Sequence, residues 1–196
     1  MSGNLDFRYG AMNSGKSTDV IQMAYNYREK GHQVLVVKPS IDTKGEHKIV
    51  SRIGASVDAN LLLGPNQMPS AIIKSHPQFA EIRAIIIDEA QFLSPVQVED
   101  FWKLTAETDI NVIAFGLRTD FLNHGFPGST RLLELADKTS EIATVCRCGR
   151  KARCNTRKVN GTFVFSGDQV AIDGEDKVAY EPLCKVCYAQ EQQLSV

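Results

Sequence analysis

Three groups of residues in this 196-residue chain have the types and spacing to do chemistry. The first, Gly10-Ala11-Met12-Asn13-Ser14-Gly15-Lys16-Ser17, fits the G-x-x-x-x-G-K-[ST] phosphate-loop pattern. Its glycines let the backbone turn so that successive N–H groups face phosphate oxygens, and a helix beginning near Ser17 adds its positive end. Lys16 would reach the β- and γ-phosphates of ATP, and Ser17 would offer its hydroxyl to Mg²⁺, a cation that prefers oxygen ligands. The second group, Asp88-Glu89, ends the apolar run Ile85-Ile86-Ile87. The carboxyl edge of an open α/β sheet is where ligands bind, and strand side chains alternate in direction. Asp88 and Glu89 are therefore expected to diverge, one toward the Mg²⁺ and the other toward a different part of the crevice, which Gln91 and Phe92 would flank. An attacking hydroxyl loses its proton, so a carboxylate within reach serves as general base, worth about 10²–10⁴ in rate; Glu89 is the candidate.

The third group is Cys146-Arg-Cys148 and Cys184-Lys-Val-Cys187, two close pairs able to hold a tetrahedral Zn²⁺ through four thiolates. All five cysteines fall between Cys146 and Cys187, and such clustering in a reducing compartment favours metal over disulfides, with Cys154 left as a spare thiol. The metal would be structural, fixing the ends of a segment with little core of its own. That segment carries Phe163, Phe165, Val170, Ile172 and Tyr180, which could close over an aromatic base.

These groups need elements to position them. Leu5, Phe7 and Tyr9 alternate with polar neighbours and predict a strand running into the phosphate loop. Val20, Ile21, Ala24 and Tyr27 recur at helical spacing from Ser17 to Lys30, with Gly31 placed to end the helix. A glycine turn that merely joins strand to helix is the plain alternative to a phosphate site, and these two flanks count against it. The runs Gln33–Lys38, Ala84–Asp88 and Asn111–Leu117 are nearly continuous and apolar, as in strands covered on both faces. Ser94, Pro95 and Gln97 supply an N-cap, a first helical residue and a capping box for a helix with Val98, Phe101, Trp102 and Thr105 on one side. Strands alternating with helices predict a mostly parallel α/β core. The stretch Ile41 to Glu81 keeps neither period. Glu141 to Cys146 reads as a final strand, and Thr162 to Phe165 as a short one. The composition changes after Thr139, and the expected division is a phosphate-loop α/β domain over 1–142 and a zinc-binding domain over 143–196.

With 22 Lys plus Arg against 23 Asp plus Glu, the chain has no overall pull toward polyanions. No run approaches the apolar length of a membrane span, and the first residues lack a signal-peptide pattern, so a cytoplasmic protein without membrane association is expected.

The residues GAMNSGKST, IIDEAQFL, FGLRTDF, CRCGRKA and CKVCY together resemble the thymidine kinases of the phosphate-loop family that carry a zinc-anchored lasso, the bacterial branch in particular. The resemblance covers nearly the whole chain. It implies a P-loop NTPase-like (RecA-like) mostly parallel sheet with helices on both faces, plus a small C-terminal zinc-binding lasso domain. By position it implies ATP binding by Gly10 to Ser17 and by Asp88, Glu89, Ala90 and Gln91. Mg²⁺ would be associated with Ser17, Asp88 and Asp42, and the proton would be accepted by Glu89. Cys146, Cys148, Cys184 and Cys187 would hold structural Zn²⁺. Met12, Leu117, Phe121, Phe126 and Tyr180 would surround thymidine, with the lasso backbone at Val170, Ala171, Ile172 and Asp173 hydrogen-bonding its base. The implied reaction moves the γ-phosphate of ATP to the 5′-hydroxyl of thymidine, giving dTMP in pyrimidine salvage. Deoxyuridine would be a poorer substrate. A homotetramer inhibited by dTTP is also implied. The chain departs from the family pattern at Lys44, where arginine is common, at Asn13, and at Asp173, where the lasso carries glycine.

Two other classes are compatible with parts of the pattern. A phosphate loop with DEAQ also suits a P-loop ATPase acting on nucleic acid, although the chain has no room for a second ATPase domain and no basic stripe to track a backbone. The cysteines with Arg147, Arg150, Lys151, Arg153, Arg157 and Lys158 would suit a zinc-ribbon nucleic-acid module, whereas such charges are more often a solvated face or contacts to ATP.

Overall fold

The computed structural model describes residues 2–42, 45–169 and 177–195. Lys44 and the four lasso positions Val170, Ala171, Ile172 and Asp173 lie outside the described residues.

The chain opens with β1 (Leu5–Tyr9), the phosphate loop and α1 (Lys16–Glu29). β2 (Gln33–Pro39) follows, then β3 (Lys48–Val50), β4 (Ser56–Asp58), β5 (Leu61–Leu63) and α2 (Pro69–Lys74). Next come β6 (Ile82–Ile87), α3 (Pro95–Glu107), β7 (Asn111–Gly116), α4 (Pro127–Leu135) and β8 (Lys138–Glu141). The main sheet runs β5-β2-β6-β7-β1-β8, every described pairing parallel. β7 therefore separates the strand that feeds the phosphate loop from the strand that ends in Asp88 and Glu89, the RecA-like order.

β2, β6 and β7 are apolar along most of their length because both sheet faces are covered. On one face Val20 and Ala24 of α1 pack with Val36, Ile86, Phe115 and Ile49 of the β3–β4 hairpin. On the other, Phe101 and Leu104 of α3 and Leu132 of α4 pack with Phe7, Leu35, Ile85 and Ile87. α3 carries the expected capping box: Gln97 N–H donates to Ser94 Oγ at 3.2 Å, and Ser94 N–H donates to Gln97 Oε1 at 3.0 Å. Val98, Phe101 and Thr105 are buried as expected, but Trp102 stays 39% exposed because the buried stripe runs through Gln97, Phe101, Leu104 and Thr105.

The stretch that kept no period, Ile41 to Glu81, holds three strands of three residues each and the short α2, too brief for a period to show. The single strand expected over Glu141 to Cys146 is two. β8 closes the main sheet beside β1, and β9 (Thr144–Val145) pairs with β10 (Lys151–Ala152) in a separate ribbon. Beyond lie β11 (Cys154–Val159), β12 (Thr162–Val164) and β13 (Val178–Leu183), an antiparallel sheet with β11 in the middle, and then α5 (Lys185–Leu194).

Candidate active site

The phosphate loop bridges β1 and α1 with its backbone bent at two left-handed residues, Asn13 (φ 65°) and Gly15 (φ 88°). Asparagine tolerates that region and glycine enters it freely. At Gly10 a β-carbon would lie 2.4 Å from Ser14 Oγ and 2.7 Å from Ile142 O, so only glycine lets the loop close against the end of the sheet. Lys16 is buried, and its ammonium donates to the carbonyls of Ala11 at 3.0 Å and Gly10 at 3.4 Å. Ser17 Oγ donates to Asp88 Oδ2 at 2.9 Å. The hydroxyl and the carboxylate chosen from sequence thus meet across 71 residues, and an oxygen pair of this kind suits Mg²⁺. Burial, reinforced by the charge of Glu89, pushes the Asp88 carboxyl up to about 7, against the opposing pull of Ser17 and Lys16.

Glu89 leaves β6 in the left-handed region (φ 51°), an unfavourable conformation for a side chain of its size. Gln91 Nε2 donates to Glu89 Oε2 at 2.5 Å, and Gln91 Oε1 accepts from the Leu117 N–H at 3.0 Å. The end of β7 thereby fixes the amide that orients the carboxylate. Gly116 is required here, since its β-carbon would stand 2.9 Å from Gln91 Oε1.

Two cavities of about 220 Å³ each meet at Glu89. One is walled by the phosphate loop from Met12 to Ser17 and by Val50 to Ile53 of the β3–β4 turn. The other is walled by Phe92, Phe121, Phe126 and Tyr180, with Asp42, Asp120, Asn155 and Gln169 supplying polar groups. Glu89, Met12 and Leu117 line both. The second cavity gathers the described residues that the resemblance assigned to a nucleoside: Met12, Leu117, Phe121, Phe126 and Tyr180. Phe92 meets Phe126 edge-on, ring centroids 5.9 Å apart. Asp42 sits in this second cavity, ion-paired with the buried Lys38 at 3.0 Å. Ala90 is packed in the core, and Gln91 is turned toward Glu89 and Leu117.

Several residues that shape the cavity carry no signal in spacing. Arg157, grouped from sequence with a basic face, is buried. Its guanidinium lies 3.8 Å from the centroid of Phe121 and donates to Tyr180 Oη, Asp168 O and Gln169 O at 3.2, 2.8 and 3.0 Å. Gln169 Nε2 donates to Asp120 Oδ2 at 3.0 Å. Tyr188 of α5 donates to Phe121 O at 2.9 Å, tying the aromatic wall to the cysteine module. The neighbouring basic residues pair with acids: Lys151 with Glu141, Lys158 with Glu181, and Arg147 with Glu191.

Cys146, Cys148, Cys184 and Cys187 come together with all four Sγ atoms within 4.8 Å of one another. Zn–S bonds of about 2.3 Å in a tetrahedron place sulfurs a little under 4 Å apart, and Cys148 Sγ lies 3.6 Å from Cys184 Sγ, so the donor set fits a metal ion. Backbone N–H donation from Cys187 pulls the Cys184 thiol down to about 6, readying a thiolate. Cys154 stands apart, half-buried, its thiol pushed up by burial.

Among the described residues no helix is long and apolar enough to cross a membrane. A family model described as thymidine kinase matches residues 3–188. The chain is 42% identical over 188 residues to a thymidine kinase of Photorhabdus laumondii, covering 95% of this chain and 92% of that protein. A thymidine kinase of Vibrio cholerae is 43% identical over 187 residues (94% and 95%), and one of Legionella pneumophila 42% over 186 (94% and 88%). With the glycine-bent loop, the paired acids and the aromatic cavity set beside this match, the chain belongs to the thymidine kinase family.

Proposed function

We propose that the protein transfers the γ-phosphate of ATP to the 5′-hydroxyl of thymidine, with Glu89 as the proton acceptor. The observation that carries the mechanism is the position of Glu89, in the wall shared by the phosphate-loop cavity and the aromatic cavity. ATP lies along the loop from Gly10 to Ser17, its terminal phosphates held by main-chain N–H groups and Lys16. Ser17 and Asp88 would hold Mg²⁺, which would supply charge neutralisation to the phosphates. Thymidine fills the aromatic cavity with its ring against Phe121 and Phe126, the 5′-carbon toward Glu89. The 5′-oxygen attacks the γ-phosphorus as its proton passes to the Glu89 carboxylate, and the bond from the γ-phosphorus to the β,γ-bridging oxygen breaks to release ADP. Gln91 keeps the carboxylate aimed and needs no contact with ATP itself.

In this reading Cys146, Cys148, Cys184 and Cys187 would hold Zn²⁺, which would serve as a structural ion. The free thiols suit a reducing compartment, and the cytoplasm is the proposed location. The division into 1–142 and 143–196, the homotetramer and the inhibition by dTTP belong to the same proposal and rest on family membership.

Phosphate transfer from ATP across a panel of nucleosides tests the reading. Thymidine should be turned over best. Deoxyuridine should trail by about ten- to a hundredfold in kcat/KM, because one methyl in an apolar recess contributes only about 1–3 kcal/mol. ATPase activity stimulated by single-stranded DNA and indifferent to thymidine would contradict it.

A further inference from the structure

The side chain of Asn155 connects three parts of the site. Its Oδ1 accepts from the backbone N–H of Met12, inside the phosphate loop, at 2.8 Å and across 143 residues. Its Nδ2 donates to Thr119 O at 2.8 Å, on the segment that follows β7 and leads into the aromatic wall. Asn155 is itself buried, the second residue of β11, and stands opposite Pro182 of β13, two residues before Cys184. Met12 lines both cavities, so its backbone position sets the rim where phosphate and nucleoside meet.

The N–H groups of a phosphate loop bind anions only if they converge, and convergence requires a loop held in one conformation before the nucleotide arrives. Lys16 and Ser14 hold the loop from within: Lys16 Nζ contacts Ala11 O at 3.0 Å and Ser14 Oγ at 3.4 Å. Asn155 holds it from outside, from a strand whose register is set beside the cysteine cluster.

We propose that Asn155 is a positioning residue for nucleotide binding, clamping the phosphate loop at Met12 to the cysteine-bearing module. The inference rests on the reading that ATP occupies this loop. Asn155→Leu keeps the branching of the side chain, with two bulkier methyl groups in place of the amide, and removes both hydrogen bonds. Without any nucleoside present, the variant should bind MgADP about tenfold more weakly, the effect of one buried N–H left unpaired at the loop. In turnover the KM for ATP should rise by a similar factor, with metal content unchanged.

In the unaltered protein the Met12 amide should exchange with solvent at least about a hundredfold more slowly than an open loop, a readout that does not depend on whether the variant folds. Parent-like MgADP affinity in the variant, or a Met12 amide that exchanges at the open-loop rate in the parent, would overturn the clamp. A parent protein that fails to bind MgADP at all would instead remove the phosphate-loop reading on which it stands.

Discussion

From Leu5 to Glu141 the chain buries two apolar layers, one on each face of a parallel sheet, with Phe7, Ile85 and Phe101 in one and Val36, Ile86 and Phe115 in the other. From Thr144 onward, among the described residues, the buried apolar cluster shrinks to Ala152, Leu183 and Tyr188 around three buried cysteines. The first region is held by hydrophobic burial and can keep a bent loop and a left-handed Glu89 in place. The second buries a smaller apolar cluster among the described residues, and on the proposed reading a metal ion held by its four converging sulfurs takes over that task. The aromatic cavity lies between them, with Phe121 and Phe126 from the first region and Asn155, Gln169 and Tyr180 from the second. On the proposed reading, phosphate chemistry sits on the first region, and nucleoside recognition draws on both.

Metal removal should break this comparison most sharply. A structural zinc site contributes on the order of 10 kcal/mol. Chelation should therefore free the amides of β11 and β13 to exchange while those of β6 and β7 stay protected. Equal loss of protection in both regions would show that they are one cooperative unit. Phe101→Ala acts on the opposite side, with an expected loss of about 3–5 kcal/mol in the sheet region, measured by denaturant unfolding at full metal occupancy.

A smaller effect sharpens the electrostatic side of the comparison. Burial and then Glu89 push Asp88 up to about 7 in the folded protein, from 3.8 as a free group. For an acid raised in this way, the stability contribution is full below 3.8 and is lost as pH climbs through about 7. Mg²⁺ requires the ionised form, so the Mg²⁺ concentration giving half-maximal activity should be about tenfold higher at pH 6 than at pH 8. A flat profile would place the ion elsewhere.

The phosphate loop, the three strands buried on both faces and the capping box of α3 were legible because each is written locally, in spacing or in composition. Met12, Phe121 and Phe126 were paired with a ligand only through family resemblance, and the structure brings them to one cavity. Arg157 was not legible. A guanidinium in a basic stretch reads as solvated, and only the fold reveals Phe121 beneath it and the carbonyls of Asp168 and Gln169 at its edge. Asn155 was silent for the same reason, since both of its partners lie more than 30 residues away along the chain. β8 and β9 were merged into one strand because the apolar pattern carries across Ile142 and Ala143 while the hydrogen bonds change sheets.

Glu89→Gln isolates the central claim, because glutamine keeps the shape and a hydrogen bond to Gln91 but cannot take a proton. Measured at saturating ATP and thymidine, kcat should fall by about 10²–10⁴ while the affinities for MgADP and thymidine stay within about threefold of the parent. A variant that turns over within about tenfold of the parent would mean that the proton leaves the 5′-hydroxyl by another route.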